Sequence, residues 1–376
     1  MTMGHTITTR RARVAIVQPY VPTYRVAFFE GLREVLGQQG IELTVIADDP
    51  DGEQSGRGDA VQLPWIQHFK QQRVAMGRRS IRFGTAHKHW KACDAVIVGH
   101  LGSSLDTNLA LALSALGNIK VGVWGHIDSS VGEANALDSL VERWQLRRAG
   151  HVFAYTPGGA RLAKAVGADA ERVTTVMNTI DTGALEAAVA EVDDPSVREL
   201  LGGADLDPVK TFSFIGGLDA SKRIDFLAEA LDRLWTLDPS IKLLVAGRGE
   251  DEGLLQRSVD RGQTTMLGYA EARLKAALGL ATRGILMPGR IGLIAVDALV
   301  LGLPVLSTQW PFHAPEAEYL TPGESLLQSA DSADAYADLI YEESCREELR
   351  YIPRDYPRLD GMIANFANGI LSLLAR

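Results

Sequence analysis

The sequence predicts an α/β protein of two Rossmann-like, doubly wound domains facing each other across a cleft. From Arg13 short apolar runs alternate with amphipathic stretches, and a fresh series of the same kind begins at Thr211. The 376 residues suffice for two domains at roughly 100 to 200 residues each. The composition, 46% hydrophobic and 23% charged, excludes disorder, collagen and coiled coil.

VAIV (14–17) reads as a strand, QPYVPTYR as a loop, VAFFEGLREVLGQQG as a helix and ELTVIAD as the next strand. CDAVIVG, KVGVWG, HVFAYT and RVTTVM continue the strands, with NLALALSALG, LVERWQLRRAG and GARLAKAVG as intervening helices. Apolar runs of this kind suit a parallel sheet buried on both faces. The Ala/Glu/Asp-rich stretch EAAVAEVDDPSVRELLGGADLDP marks the crossover. Beyond it TFSFIGG, KLLVAG, TTMLGY, GILMPG and PVLST read as strands, separated by IDFLAEALDRLWTL, EGLLQRSV, EARLKAALGLA and a helix from Gly292 to Leu301. The boundaries predicted are an acceptor-binding domain over 1–180, a nucleotide-sugar domain over 181–355, and a terminal helix over 356–376 packing back on the first domain.

Cys93 and Cys345 are the only cysteines and form no CxxC, so no disulfide framework or cysteine zinc site is expected. The N-terminal MTMGHTITTRRARV lacks an apolar core of signal-peptide length, which points to a cytoplasmic protein. The formal charge of −9 argues against nucleic acid as a general partner.

In the second half three strands run into glycine: Gly216 and Gly217, Gly247 and Gly249, Gly289 and Gly292. At the carboxyl edge of a parallel sheet, glycine admits a phosphate to the backbone and the next helix offers its positive end; tight strand-to-helix turns are the plainer use. Lys222 and Arg223 follow the first pair and supply cations where a leaving diphosphate would gather charge.

These motifs in this order, FIGGLDASKRID, LLVAGRGEDEGLL, MLGYAEARLKAAL and LMPGRIGLIAVDALVLGLPVLST, resemble the nucleotide-binding half of GT-B retaining glycosyltransferases of group 1, the family 4-like kind. VQPYVPTYRVAFFEGL, VGVWGHID and VMNTID extend the resemblance over almost the whole chain. It implies transfer of a sugar from a nucleoside diphosphate sugar, UDP or GDP, to a hydroxyl of a glycan, glycolipid or small molecule, with retention of configuration and without metal or cofactor. Lys222 would pair with the diphosphate, Gly216 and Gly217 would admit its phosphates, and His126 would lie near the donor sugar. Pro288, Gly289, Arg290, Gly292 and Leu293 would form the loop meeting sugar and phosphate, and Asp297 would accept from the ribose hydroxyls.

The chain departs from the family pattern at two places. Gly217 stands where an arginine is usual, with Arg223 as the substitute cation, and Gly289 stands at the first carboxylate of the two-glutamate motif. The combination of PG-x-x-GL with H-x-PE is similar to a subset of these transferases, in which His313 and Glu316 would reach the same cleft. Tyr24 and Arg25 would touch donor or acceptor. Two rivals remain: a non-catalytic sugar-nucleotide or glycan binder that has lost two motif residues, and a nucleoside-diphosphate-sugar epimerase on the same scaffold, against which the missing carboxylate at Gly289 counts.

Between Gln67 and Lys91 stand seven lysines and arginines, Arg73, Arg78, Arg79 and Arg82 among them, with no Asp or Glu. With Phe69, Phe83 and Trp90 interleaved, the stretch is predicted to meet an anionic acceptor or an anionic membrane at its inner face, as in polysaccharide or glycolipid biosynthesis.

Overall fold

The computed structural model describes residues 10–50, 59–76, 79–127, 136–201, 206–348, 352 and 355–376. The first series of runs forms β1 (Ala12–Gln18), α1 (Val26–Gln38), β2 (Ile41–Ala47) and β3 (Ile66–His68), then a hairpin of β4 (Gln71–Met76) and β5 (Arg79–Gly84). It continues through α2 (His87–Trp90), β6 (Ala95–Gly99), α3 (Leu105–Ala115), β7 (Lys120–Gly125), α4 (Ala136–Arg148), β8 (His151–Ala154), α5 (Pro157–Ala165) and β9 (Val173–Thr175). Seven of these strands make one parallel sheet in the order β3-β2-β1-β6-β7-β8-β9. The order reverses beside β1, where a doubly wound sheet opens a crevice at its carboxyl edge.

After α6 (Thr182–Glu191) and α7 (Asp194–Leu200) the second series begins. It comprises β10 (Thr211–Ile215), α8 (Ile224–Leu237), β11 (Lys242–Ala246), α9 (Gln256–Asp260), β12 (Thr264–Gly268), α10 (Ala272–Ala281), β13 (Ile285–Leu286), α11 (Ile294–Leu301), β14 (Val305–Thr308), β15 (Leu326–Ser329) and α12 (Ala333–Ser344). Its six strands form a second parallel sheet, β12-β11-β10-β13-β14-β15. The helix α8 shows why the chain folds so: Ile224, Leu227, Leu231 and Leu234 recur at helical spacing and are all buried.

The last helix, α13 (Leu359–Leu374), crosses back to the first sheet. Phe366 stacks on Phe153 at 4.5 Å and meets the edges of Phe28 and Trp124. Gly369 permits this, since a Cβ there would lie 2.5 Å from the Phe153 ring. The two chain passages between the domains are tied together: Thr179 donates its hydroxyl to the Pro357 carbonyl at 2.7 Å, and Arg358 grips Glu186 with bonds of 2.8 and 2.9 Å.

Candidate functional site

The loops that leave β10, β11 and β13 are laced by their backbones. Gly216 N–H donates to Ala246 carbonyl at 3.1 Å and Leu218 N–H to Arg248 carbonyl at 3.0 Å. A Cβ at Gly247 would sit 1.8 Å from the Gly216 oxygen, and one at Gly249 2.1 Å from the Leu218 oxygen. A Cβ at Gly289 would strike the Ser221 and Lys222 backbone at 2.5 to 2.6 Å. The side toward which these three glycines lack a side chain is thus occupied by neighbouring backbone. Gly216 differs: its φ of 150° is one that side chains rarely allow, and a Cβ there would have only ordinary contacts.

Lys222 closes a short turn capped by Asp219, and its ammonium donates to the Arg290 carbonyl, which fixes it over the loop after β13. Arg223, left-handed at φ 56°, points elsewhere. Its guanidinium pairs with Asp331 and donates to Pro288 carbonyl and Thr308 hydroxyl at 3.3 Å, lying 4.1 Å from the Phe226 ring centre. Burial alone would raise the Asp331 carboxyl, but the bonds from Arg223 and Thr308 and the guanidinium charge hold it below its ordinary value. Arg223 is therefore built into the framework under the loop. Asp297 is 5% exposed and accepts from Lys275 Nζ at 2.8 Å.

His313 stands above this loop. Its Nδ1 accepts from Ile291 N–H at 3.2 Å, leaving Gly292 and Leu293 to lead into α11. Burial, with the charges of Lys222 and Arg290, lowers its pKa against the pull of the Thr308 and Gly289 carbonyls, so the ring is neutral at pH 7. Its Nε2 is buried without a hydrogen-bond partner. The same side chain lines an inter-domain cavity of about 340 Å³, walled by Ile127, Gly158 and Gly159 on one side and by Pro311 and Glu318 on the other.

On the first domain Arg25 is only 4% exposed, and its guanidinium lies among the rings of Tyr24, Phe28, Trp124 and Tyr155, 5.0 to 5.9 Å from their centres. His126, after β7, lies with its ring 4.5 Å from Tyr155. Burial pushes the Tyr155 hydroxyl up to about 12, a rise that Arg25 partly offsets. His100, which follows β6, has its Nδ1 3.4 Å from the His126 carbonyl and its Nε2 3.2 Å from the Glu142 carbonyl.

The segment after His313 joins the halves. Glu316 is 2% exposed and accepts from Asn178 Nδ2 at 2.5 Å, while Glu316 Oε2 and Asn178 Oδ1 have no partner. Tyr319 donates to the carbonyls of Tyr155 and Asn178, and Glu318 accepts from Gly158 N–H at 2.8 Å at the start of α5. Sequence reasoning reached Glu316 but missed Tyr155, Asn178, Glu318, Tyr319 and Asp331 as members of this region; only VMNTID and HAPE gave a signal.

The basic stretch lies apart from these groups. The backbones of Arg73 and Arg82 pair across the hairpin, Arg79 begins β5, and Arg78 lies outside the described residues. Among the described residues no cluster of His, Cys, Asp or Glu is arranged to hold a metal ion, and no helix is long and apolar enough to cross a membrane.

This architecture recurs in solved structures. Anabaena HepE, in complex with UDP and glucose, matches with a TM-score of 0.63 at 13% identity over 96% of this chain and 99% of its own. Sucrose-phosphate synthase from Thermosynechococcus elongatus matches at 0.62 and 16%, over 97% and 95%. UDP-GlcNAc 2-epimerase from Methanocaldococcus jannaschii matches at 0.56 and 12%, over 96% and 99%. No curated protein matches the chain. At these identities the likeness establishes the GT-B fold. Residues 26–179 match the glycosyl transferase 4-like domain and residues 209–342 match the glycosyl transferases group 1, so that with both halves accounted for the chain belongs to the group 1 glycosyltransferases.

Proposed function

We propose that the protein transfers a sugar from a nucleoside diphosphate sugar to an acceptor hydroxyl, with retention at the anomeric carbon and without a metal ion. The observation that carries this reading is the lysine held over a glycine-lined loop, with the unpartnered His313 nitrogen beside it on the cavity wall. Lys222 neutralises the leaving diphosphate, and His313 offers its free nitrogen to a hydroxyl of donor or acceptor. Asp297, oriented by Lys275, receives the ribose hydroxyls, and His126 meets the sugar from the first domain. As the glycosidic bond breaks, the diphosphate oxygen that leaves takes the acceptor proton on the same face. Glu316 stands in for the carboxylate absent at Gly289, supporting the cleft through Asn178. UDP is the favoured nucleotide because HepE binds UDP and glucose on the same architecture. Glycan or glycolipid acceptors fit a role in polysaccharide or glycolipid biosynthesis, with the protein at the inner face of a membrane.

The resemblance to UDP-GlcNAc 2-epimerase supports a second reading, in which the sugar nucleotide is epimerised and no acceptor is used. One experiment separates them. Thermal shifts with UDP, GDP, ADP, TDP and their sugars select the donor, and NMR then follows the anomeric proton with and without acceptor alcohols. A glycoside of retained configuration is expected. An inverted product would overturn retention, a C2-epimerised nucleotide would favour the epimerase, and binding without turnover would leave a sugar-nucleotide binder.

A further inference from the structure

The helix α3 carries apolar side chains on its outer face as well as on the face that it buries. Buried are Asp106, Thr107, Ala110 and Leu111, whereas Leu105, Leu109, Ala112 and Ala115 are exposed. Leu116, at its C-cap, is 75% exposed. Positions 105, 109, 112 and 116 fall on one stripe at helical spacing. Scattered exposed leucines need no account, but an apolar stripe along a whole helix does.

The neighbouring elements extend the stripe. α4 lies against the start of α3, since Gln145 donates to Leu101 carbonyl at 3.0 Å and to Asn108 at 2.8 Å. Among its residues 138–148 the exposed ones are Leu140, Arg143, Trp144, Arg147 and Arg148, with Leu140 at 60%. On the other flank Arg82 N–H donates to Ser103 carbonyl at 3.1 Å, so the hairpin, which carries the exposed Val74 and Phe83, borders the start of α3.

Among the described residues of α3 and α4 the fully exposed charges have one sign. Asp106, the carboxylate of α3, is buried, and Glu142 of α4 turns to accept from Gly102 N–H at 3.2 Å. Asp138 is half-buried. The exposed charges are Arg143, Arg147 and Arg148, of which Arg147 also donates to the Val166 carbonyl.

We propose that α3, α4 and the hairpin form a docking face for an anionic lipid bilayer, with the leucines and Trp144 entering the interface and the arginines meeting the headgroups. This deepens the transferase reading, on which it rests for the acceptor: a lipid-borne hydroxyl. An apolar face with a cationic rim matches an anionic bilayer in both terms. A second copy of the chain does not fit, because a two-fold contact would set this cationic face against itself. The location is also apt. Leu101 follows β6 and His126 follows β7, so docking face and sugar site leave the sheet at one carboxyl edge.

The full chain is sedimented with vesicles of phosphatidylglycerol and phosphatidylcholine and with phosphatidylcholine alone, alongside the triple variant Leu109→Ser, Leu140→Ser, Trp144→Ser and the pair Arg143→Gln, Arg148→Gln. The wild type is expected on the anionic vesicles, with partitioning reduced about tenfold or more by the triple variant and clearly by the pair. Brominated lipid should quench tryptophan fluorescence less in Trp144→Phe. Because all these side chains are exposed, circular dichroism and the shift induced by UDP should match wild type. Absence of wild-type binding, or equal binding by the triple variant, would overturn the proposal, as would a dimer in light scattering that the triple variant abolishes. Loss of the UDP shift in every form would instead count against the donor reading.

Discussion

The two carboxyl edges that face the cleft are built on different principles. In the second domain the loops after β10, β11 and β13 lock by backbone contact, with Gly247 against Gly216 and Gly289 against Lys222. In the first domain the corresponding edge is a cluster of side chains, Arg25 among four rings with His126 beside one of them. Backbone lacing gives a frame that does not depend on rotamers, as would suit the diphosphate of the proposed donor. Side-chain packing can be altered one residue at a time, as would suit the proposed acceptor side of the cleft.

Lys222→Ala should break the second edge most severely. Removing the ammonium that donates to the Arg290 carbonyl is expected to lower kcat/KM for the donor by about 10² to 10³, or ~3 to 4 kcal/mol, with the fold retained. Near-normal turnover would sink the diphosphate assignment.

His151 tests the first sheet. Burial foremost, then the charges of Arg376 and Arg172, lower its pKa to about 4 from 6.5. As pH falls through that window the unfolded chain takes up a proton that the folded chain refuses, and stability is lost, by up to ~3 kcal/mol near pH 4. His151→Gln should flatten this dependence in urea titrations at pH 7 and pH 4.5; parallel losses in variant and wild type would show that other groups carry it.

Gly249→Ala should cost about 1 to 3 kcal/mol, because the new methyl meets the Leu218 carbonyl. Gly253→Ala, with open space around it, should stay within about 0.5 kcal/mol. Equal urea midpoints for the two variants would mean that the lacing contributes nothing to stability.

The smallest effect is expected at the seam. Glu318→Ala removes a carboxylate from the exposed start of α5 and should cost about 0.3 to 1 kcal/mol, less at high salt. Its signature is easier proteolysis between the domains with the UDP-induced shift intact. Unchanged proteolysis would mean that Glu318 does not hold the seam.

The same contrast explains what the sequence discloses. The strands and helices were legible because TFSFIGG or IDFLAEALDRLWTL states its period locally, and the glycines and Lys222 were legible as an ordered series along one edge. What the glycines touch was not, since the Gly216 oxygen opposite Gly247 becomes a neighbour only when β10 and β11 pair. Arg223 reads as a free cation beside Lys222 because its partner, Asp331, stands 108 residues away. Arg25 hides its rings in the same manner. NLALALSALG reads as a helix, but which of its leucines are covered does not: Leu111 is buried, whereas Leu109 and Leu116 face outward, since apolar content says that a face will be covered, not by what.

The bond from Thr179 to Pro357 has a mechanical consequence. Two chain passages fastened to one another act as a single fulcrum, so the halves can swing like jaws but resist sliding. Displacement grows with the length of the lever arm, and a change of a few backbone angles beside Thr179 is magnified at the far lips of the jaws. Since α13 is carried on the first jaw, the end of the chain travels with the half in which the chain began.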